Sequence, residues 1–352
     1  MDPLTGAGWT SSPPAGDSVW ARVEEGSSAA GLRRHATRMA ERLGFTAEPL
    51  GRIQIAVTEA ATNLSKHAEQ GEMLVRVVRA GDDAALEIVC LDRGPGIADV
   101  SGSRRDGYST SGSLGIGLGA IERLADHSGM HSLPSTGTVL FARFLRPHGE
   151  AAAPSSSVPP FAGLTRPIEG EQECGDAYAA RTEGGTVYAM LCDGLGHGPM
   201  AARASSEAVA VLREAALPAA PVDLLAQVHR RLGATRGGAV AVAAVDPGAG
   251  TVRFAGLGNV AGWIIGPERR HGMISVPGIA GAQSRRLREQ VYDLPPGAVV
   301  VLHSDGLTDK WDVVGRPGPG RDPLLIAADL LRVAGVRHDD RGVLVVTTAG
   351  RR

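Results

Sequence analysis

"TVYAMLCDGLGHG", residues 186–198, decides how this chain is read. An apolar run of strand length ends on an acid, Asp193, and Gly194, Gly196, His197 and Gly198 follow at once. The same figure recurs in the second half of the chain. "CGDAY" carries Asp176, "GAVVVLHSDGLTD" carries Asp305 and "HDDRGVLVV" carries Asp339, each acid at the end or start of an apolar run. Taken singly, an acid before glycine is a turn residue. Four acids at strand ends can instead converge on one cluster, and oxygen ligands of this kind suit hard cations. Two divalent ions held close together convert a bridging water into hydroxide and clamp a phosphate oxygen. In that arrangement Asp193 bridges the metals, and Gly194 leaves its carbonyl free to approach one of them.

Outward from this stretch, short β runs dominate the second half: "GTVYAMLC", "GAVAVAAVD", "TVRFAGLGN", "GWIIG", "GAVVVLHSD" and "GVLVVTTA". Helical spacing interrupts them at about 199–216 and 322–335. Many strands with a few inserted helices predict an α+β domain in which sheets pack together and helices cover them. Residues 147–160, "PHGEAAAPSSSVPP", have linker composition and separate this half from the first. Residues 1–20, rich in Pro, Ser and Gly, are expected to form a disordered tail.

The first half reads as helix, helix, hairpin, glycine-rich stretch, helix and strand. In the helix from about 49 to 68, Ile53, Val57, Ala60, Ala61, Leu64 and Ala68 form the apolar stripe. Glu59, Asn63 and His67 follow one another at i, i+4 and i+8 on the other face, with Lys66 beside them. A solvated polar face would look the same, but Asn is a poor residue for mid-helix and its amide oxygen can ligate Mg²⁺. "DRGPGI" then sets Asp92 at a strand end, with Gly94 and Gly96 making a tight turn. An acid placed there can accept from an exocyclic amine such as that of adenine. "TSGSLGIGLGAIERL" brings Gly115, Gly117 and Gly119 into a helix start, where free N–H groups suit phosphate.

Composition bounds the rest. The chain has 352 residues, 43% hydrophobic, with a formal net charge of −2, and it lacks an apolar stretch of membrane-spanning length. Neither nucleic acid nor a membrane surface is therefore expected as a partner. Three cysteines, Cys90, Cys174 and Cys192, show no metal-ligand spacing and fit small buried thiols in a reducing cytoplasm.

The order of the three first-half motifs resembles the GHKL (Bergerat-fold, histidine kinase-like) ATPases, in particular the RsbT/RsbW-type switch kinases, over most of 30–146. The likeness is carried by "VTEAATNLSKHAEQGEM" and "DGYSTSGSLGIGLGAIERL". The resemblance implies ATP with Mg²⁺ on Asn63, and Glu59 orienting or deprotonating the attacking hydroxyl. It implies adenine on Asp92 in a pocket shaped by Gly94 and Gly96, phosphate on Gly115, Gly117 and Gly119, and Thr138 supporting the adenine through water. Lys66 is counted with the nucleotide-binding residues. The order "CGDAY…CDGLGHG…HSDGL…DDRGVLVV" resembles the PPM metal-dependent serine/threonine phosphatases of the SpoIIE/RsbX branch, over about 160–348. That resemblance implies two Mn²⁺ or Mg²⁺ ions held by Asp176, Asp193, Gly194, Asp305 and Asp339, with Asp340 in a supporting place. His197 stands as a general acid, a phosphate binder or a structural residue. Asn259 either reaches the site or makes a turn, and Asp309 is a further supporting candidate.

The expected architecture is α+β in two domains: a GHKL α/β sandwich over 21–146, then a PPM-type β-sandwich flanked by helices over 161–350. Together the halves imply a partner-switching regulator in the cytoplasm. The kinase half phosphorylates a STAS-domain protein, an anti-anti-sigma or stressosome-like antagonist. The phosphatase half reverses this, with a sigma factor or a downstream phosphatase as further partners. An anti-sigma-like, ATP-gated binding module, or an ATP-sensing domain that regulates the phosphatase, is the alternative for the first half.

Overall fold

The computed structural model describes residues 8–24, 26–80, 83–99, 117–146, 160–267, 269–284, 286–313, 316–318, 320–335 and 338–348. The chain divides into two compact units: Pro13–Arg79 with Asp83–Ser157, and Met1–Ser12 with Ala80–Asp82 and Val158–Arg352. It opens with β1 (Trp9–Ser11), which belongs to the second unit.

The first unit runs β2 (Ser18–Arg22), α1 (Gly26–Arg42), α2 (Ala47–His67), β3 (Glu72–Ala80), β4 (Asp83–Leu91), α3 (Gly117–Leu124), β5 (His127–Leu133) and β6 (Gly137–Leu145). Its sheet has the order β2-β3-β4-β6-β5. The stripe expected on α2 is the one that is buried, with Ala56 added and Ala68 only half-buried. It packs with α1 against Met73, Val75, Leu86, Ile88 and Leu140. Each Ile, Leu or Val sealed there contributes roughly 1.5–3 kcal/mol. The alternate residues of the same strands carry an ion triad centred on buried Glu87, with Arg76 buried and Arg143 half-buried. Glu87 Oε2 meets Arg76 Nη2 at 2.7 Å, and its Oε1 meets Arg143 Nη2 at 2.6 Å. Burial would raise the Glu87 carboxyl, but Arg143 and Arg76 together hold it below the usual glutamate range.

The second unit runs β7 (Phe161–Arg166), β8 (Asp176–Glu183), β9 (Thr186–Gly194), α4 (Pro199–Glu214), α5 (Pro221–Arg231), β10 (Gly238–Asp246), β11 (Thr251–Leu257) and β12 (Ala261–Ile265). It continues through β13 (Arg270–Met273), β14 (Gly278–Ile279), β15 (Gln283–Ser284), β16 (Gln290–Asp293), β17 (Val299–His303), α6 (Pro323–Ala334) and β18 (Arg341–Thr347). Two main sheets form, ordered β1-β8-β9-β10-β11-β16 and β13-β12-β17-β18-β7. Strand period two explains the layers. Along β9, Val187, Ala189 and Leu191 face the core between the sheets, with Tyr178, Val300 and Leu344. Tyr188, Met190 and Cys192 face α4 and α5 on the outside. The α6 helix covers β7 and β18 of the other sheet. The result is the helix-flanked β-sandwich expected. Gly163 is required there, because a Cβ on it would lie 2.6 Å from the Tyr178 ring.

Two expectations are corrected. Residues 8–20 are not a disordered tail. Trp9 pairs with Arg181 and Ser11 with Ala179, so β1 extends the six-stranded sheet of the second unit at β8. Trp9 is buried in the α4–α5 core. Ser12 N donates to Tyr178 O at 2.9 Å, and Tyr178 N donates to Ser12 Oγ at 2.7 Å. Pairing with an edge strand far along the chain orders a segment that local composition marks as loop. Second, α5 was not expected. Its Leu224, Leu225 and Val228 are buried beside α4. Residues 147–159 of the expected linker and residues 1–7 lie outside the described residues. Among the described residues no helix is long and apolar enough to cross a membrane.

Candidate active sites

Antiparallel pairing of β8 and β9 sets Asp176 directly opposite Asp193. Like charges facing across a ladder repel. Ser304 N donates to Gly342 O at 3.0 Å and Gly342 N donates to Ser304 Oγ at 2.9 Å. These bonds draw the β17 end, which carries Asp305, onto the β18 start, which carries Asp339 and Asp340. Asp176 is buried, and neither carboxylate oxygen has a hydrogen-bond partner. Burial first, then the Asp193 charge, pushes its carboxyl well above the usual range. Burial, then Asp305, Asp339 and Asp340, raises Asp193 to about 7. Orphaned buried carboxylate oxygens beside further acids fit a divalent cation, which would satisfy them and remove the repulsion. Among the described residues no three acid, histidine or cysteine side chains already stand at closed metal-ligand spacing.

The glycines have a second reason beyond a free carbonyl. A Cβ on Gly194 would lie 2.2 Å from Ala201 O, and one on Gly306 would lie 1.9 Å from Asp340 O. Glycine after Asp193 and Asp305 therefore admits the start of α4 and the start of β18. Asp340 accepts from Ile168 N at 2.7 Å and Gly175 N at 2.8 Å, so it fastens two loops beside the cluster. Asn259, left open between site and turn, donates from Nδ2 to Asp305 Oδ2 at 2.7 Å and orients that ligand candidate. His197 Nδ1 lies 2.9 Å from Glu171 Oε1. Asp309 turns to His303 Nε2 at 3.2 Å. Asp193, Asp305 and Asp339 line a cleft of about 790 Å³, with Leu195, His197 and Ile279 on its walls. Burial raises the Cys192 thiol well above its usual range, which fits an inert buried thiol, whereas Cys174 is only half-buried.

In the first unit, Glu59 and Asn63 are half-buried on α2, and Lys66 and His67 are exposed. Asn63 Nδ2 is buried with no hydrogen-bond partner, an orphan that suits a polar ligand. The Asp92 turn closes against the end of α2. Arg93 N donates to Glu69 O at 2.9 Å, and a Cβ on Gly94 would lie 3.1 Å from His67 O. Asp92 is buried and its Oδ1 accepts from Gly94 N at 2.9 Å. Gly96 has φ +68°, and a Cβ there would lie 2.0 Å from Leu133 O. Asp92 N donates to Thr138 O at 3.0 Å. Thr138 Oγ1 shares a hydrogen bond with Ser132 Oγ at 2.9 Å, and Ile97 N donates to Ser132 Oγ at 2.8 Å. Asp92, Gly94, Gly96 and Thr138 thus surround one turn beside the α2 end. Gly117 and Gly119 open α3, whereas Gly115 lies outside the described residues. Ser304 had no signal in the sequence beyond standing next to Asp305.

Residues 21–144 match the family described as histidine kinase-like ATPase domain, and residues 183–347 match the family described as stage II sporulation protein E (SpoIIE). Serine/threonine-protein kinase RsbT of Bacillus subtilis (strain 168) is 36% identical over 110 residues, 31% of this chain and 83% of that protein. The anti-sigma F factor of Pasteuria penetrans is 36% identical over 102 residues, 27% of this chain and 67% of that protein. Among solved structures, RsbX in complex with magnesium aligns with a TM-score of 0.47 and 17% identity, covering 53% of this chain and 94% of that one. A structure from work on the bacterial stressosome as a modular system adapted to secondary messenger signaling aligns with a TM-score of 0.48 and 29% identity, covering 53% of this chain and 97% of that one.

Proposed function

The chain belongs to the histidine kinase-like ATPases of the RsbT and anti-sigma F group and carries a SpoIIE domain, and on that premise we propose a partner-switching regulator with two opposed activities. The first half phosphorylates serine or threonine on a STAS-domain protein, an antagonist of the anti-anti-sigma or stressosome-like kind. The second half removes the phosphate. A sigma factor or a downstream phosphatase is a further partner of the pathway. The observation that carries the reading is the acid cluster: buried Asp176 stands opposite Asp193, and Asp193 lines a cleft together with Asp305 and Asp339.

Phosphoryl transfer asks a protein mainly for positioning and charge neutralisation. In the kinase half, Asp92 receives the adenine amine within the turn of Gly94 and Gly96, and Thr138 supports that turn. Asn63 offers its amide oxygen to Mg²⁺, Lys66 lies on the same helix, and Glu59 orients or deprotonates the substrate hydroxyl. Gly117 and Gly119, with Gly115, present N–H groups to phosphate. In the phosphatase half, Asp176, Asp193, Asp305, Asp339 and the Gly194 carbonyl hold two Mn²⁺ or Mg²⁺ ions. The bound ions would supply an activated water and neutralise phosphate charge. Asn259 keeps Asp305 aimed, and Asp340 keeps the loops at Ile168 and Gly175 in place.

The test incubates the Asp193→Asn variant with ATP, Mg²⁺ and a STAS protein from the same genome, and reads the intact mass of the STAS protein. A one-phosphate gain is expected, lost when Glu59→Ala is added. Wild type with Mn²⁺, supplied after ATP is removed, should then reverse it. ATP-dependent binding of the STAS protein without a mass gain would overturn the kinase half. It would favour the second reading, an ATP-gated binding module, which the likeness to anti-sigma F factors supports. A phosphatase rate that follows ATP with no kinase product would instead mark an ATP-sensing domain.

A further inference from the structure

Carboxylates can hold cations, but they repel a phosphate dianion. Asp193, Asp305 and Asp339 line the cleft, and among the described residues no lysine or arginine lines it. His197 is engaged by Glu171. A positive group stands at the edge, brought there by the β9–β10 ladder. Gly194 pairs with Gly238, and beyond that pair Leu195 N donates to Gly237 O at 2.9 Å. The next residue back, Arg236, is thereby carried beside Gly196. Its Nη1 lies 3.4 Å from where a Cβ on Gly196 would stand, and Gly196 is itself a cleft-lining residue.

Two features separate Arg236 from an ordinary surface arginine. Among the described residues its exposed guanidinium has no hydrogen bond or ion pair. Its backbone, by contrast, is fixed. Thr235 N donates to Leu232 O at 2.9 Å, Gly237 N donates to Thr235 Oγ1 at 3.0 Å, and Gly238 N donates to Ala280 O at 3.1 Å. Five unspent donors in a planar fork therefore sit on a rigid turn at the mouth of an acid-lined cleft. Phosphate is the group whose geometry that fork matches.

We propose that Arg236 binds the phosphoryl oxygens of the phosphoserine or phosphothreonine substrate at the acid-cluster cleft. The proposal rests on the phosphatase reading and adds to it a contact made outside the cation-binding carboxylates. Arg236 shares the dianion's charge and fixes its orientation, and it takes no part in holding metal.

The test uses full-length, Mn²⁺-loaded protein with Arg236→Ala and Arg236→Lys, a phosphoserine peptide as substrate and inorganic phosphate as inhibitor. Loss of charge-assisted hydrogen bonds worth about 1.5–3 kcal/mol corresponds to a factor of about 10–100. KM for the peptide and the inhibition constant for phosphate should both rise by about that factor in Arg236→Ala. Mn²⁺ affinity should stay within about twofold of wild type, which separates phosphate binding from a general collapse of the site. Arg236→Lys should restore only part of the loss, because a point charge replaces a fork. Unchanged KM and unchanged phosphate inhibition in Arg236→Ala would overturn the proposal. If wild type itself turns over no phosphopeptide, the phosphatase reading fails. Calorimetric titration of inorganic phosphate into Mn²⁺-loaded wild type and Arg236→Ala then judges Arg236 alone, and equal affinities would refute it.

Discussion

Glu87 and Asp176 are both carboxylates sealed on β-strands, at 0% and 2% exposure, and the fold treats them in opposite ways. Glu87 lies between Arg76 and Arg143, and its charge is answered twice within the protein. Asp176 faces Asp193, with Asp305 and Asp340 adding further negative charge. Burial alone would raise both carboxyls. Guanidinium partners reverse the effect at Glu87, and acidic neighbours compound it at Asp176. A charge balanced inside the protein stabilises one structure. A charge left unbalanced inside it calls for a ligand from outside.

The sharpest break between the two comes from removing one carboxylate from each. Asp176→Asn or Asp193→Asn should lower phosphatase turnover by more than about 100-fold, beyond the 10–100-fold cost of losing a residue that only supports a ligand. The metal-free variant should nonetheless melt higher than metal-free wild type, since it relieves the repulsion. Glu87→Ala should do the reverse. It strands Arg76 in the interior and should cost about 3–5 kcal/mol in denaturant unfolding, which would appear as a lower midpoint for the ATPase-like unit. Asn259→Ala should fall between these in activity, about 10–100-fold down, with rescue at high Mn²⁺ if its task is to aim Asp305.

The smallest effect is in the pH dependence, and its sign differs between the two sites. The Asp193 carboxyl is raised to about 7. Its contribution to metal-free stability is therefore present below the ordinary aspartate range and is lost as pH rises toward about 7. The Glu87 carboxyl is lowered, so its contribution is present above the ordinary glutamate range and is lost as pH falls through its folded value. From the ordinary aspartate range up to about pH 7, the melting temperature of metal-free protein should fall as pH rises, and Asp193→Asn should flatten that fall.

Much of this was legible in the sequence because it is local. Acids after apolar runs marked Asp193 and Asp305, and helical spacing marked the α2 stripe. What was not legible depends on pairing between distant segments. The three-residue strand β1 gains its order from β8 and from the burial of Trp9. Glu87 gains its second partner, Arg143, only when β6, about fifty residues further on, pairs with β4. Asn259 acquires a role only when β12 pairs with β17, Ala261 opposite His303, which brings its amide to Asp305. Gly194 was read for its carbonyl, and the close approach of Ala201 adds a packing reason that no local pattern could reveal.

The most direct measurement is calorimetric titration of Mn²⁺ into metal-free wild type and Asp193→Asn at the same pH. Wild type should bind saturably, and the variant should lose at least one site or most of the affinity. Equal isotherms for the two proteins would contradict it, because the buried acids would then not be the cation site.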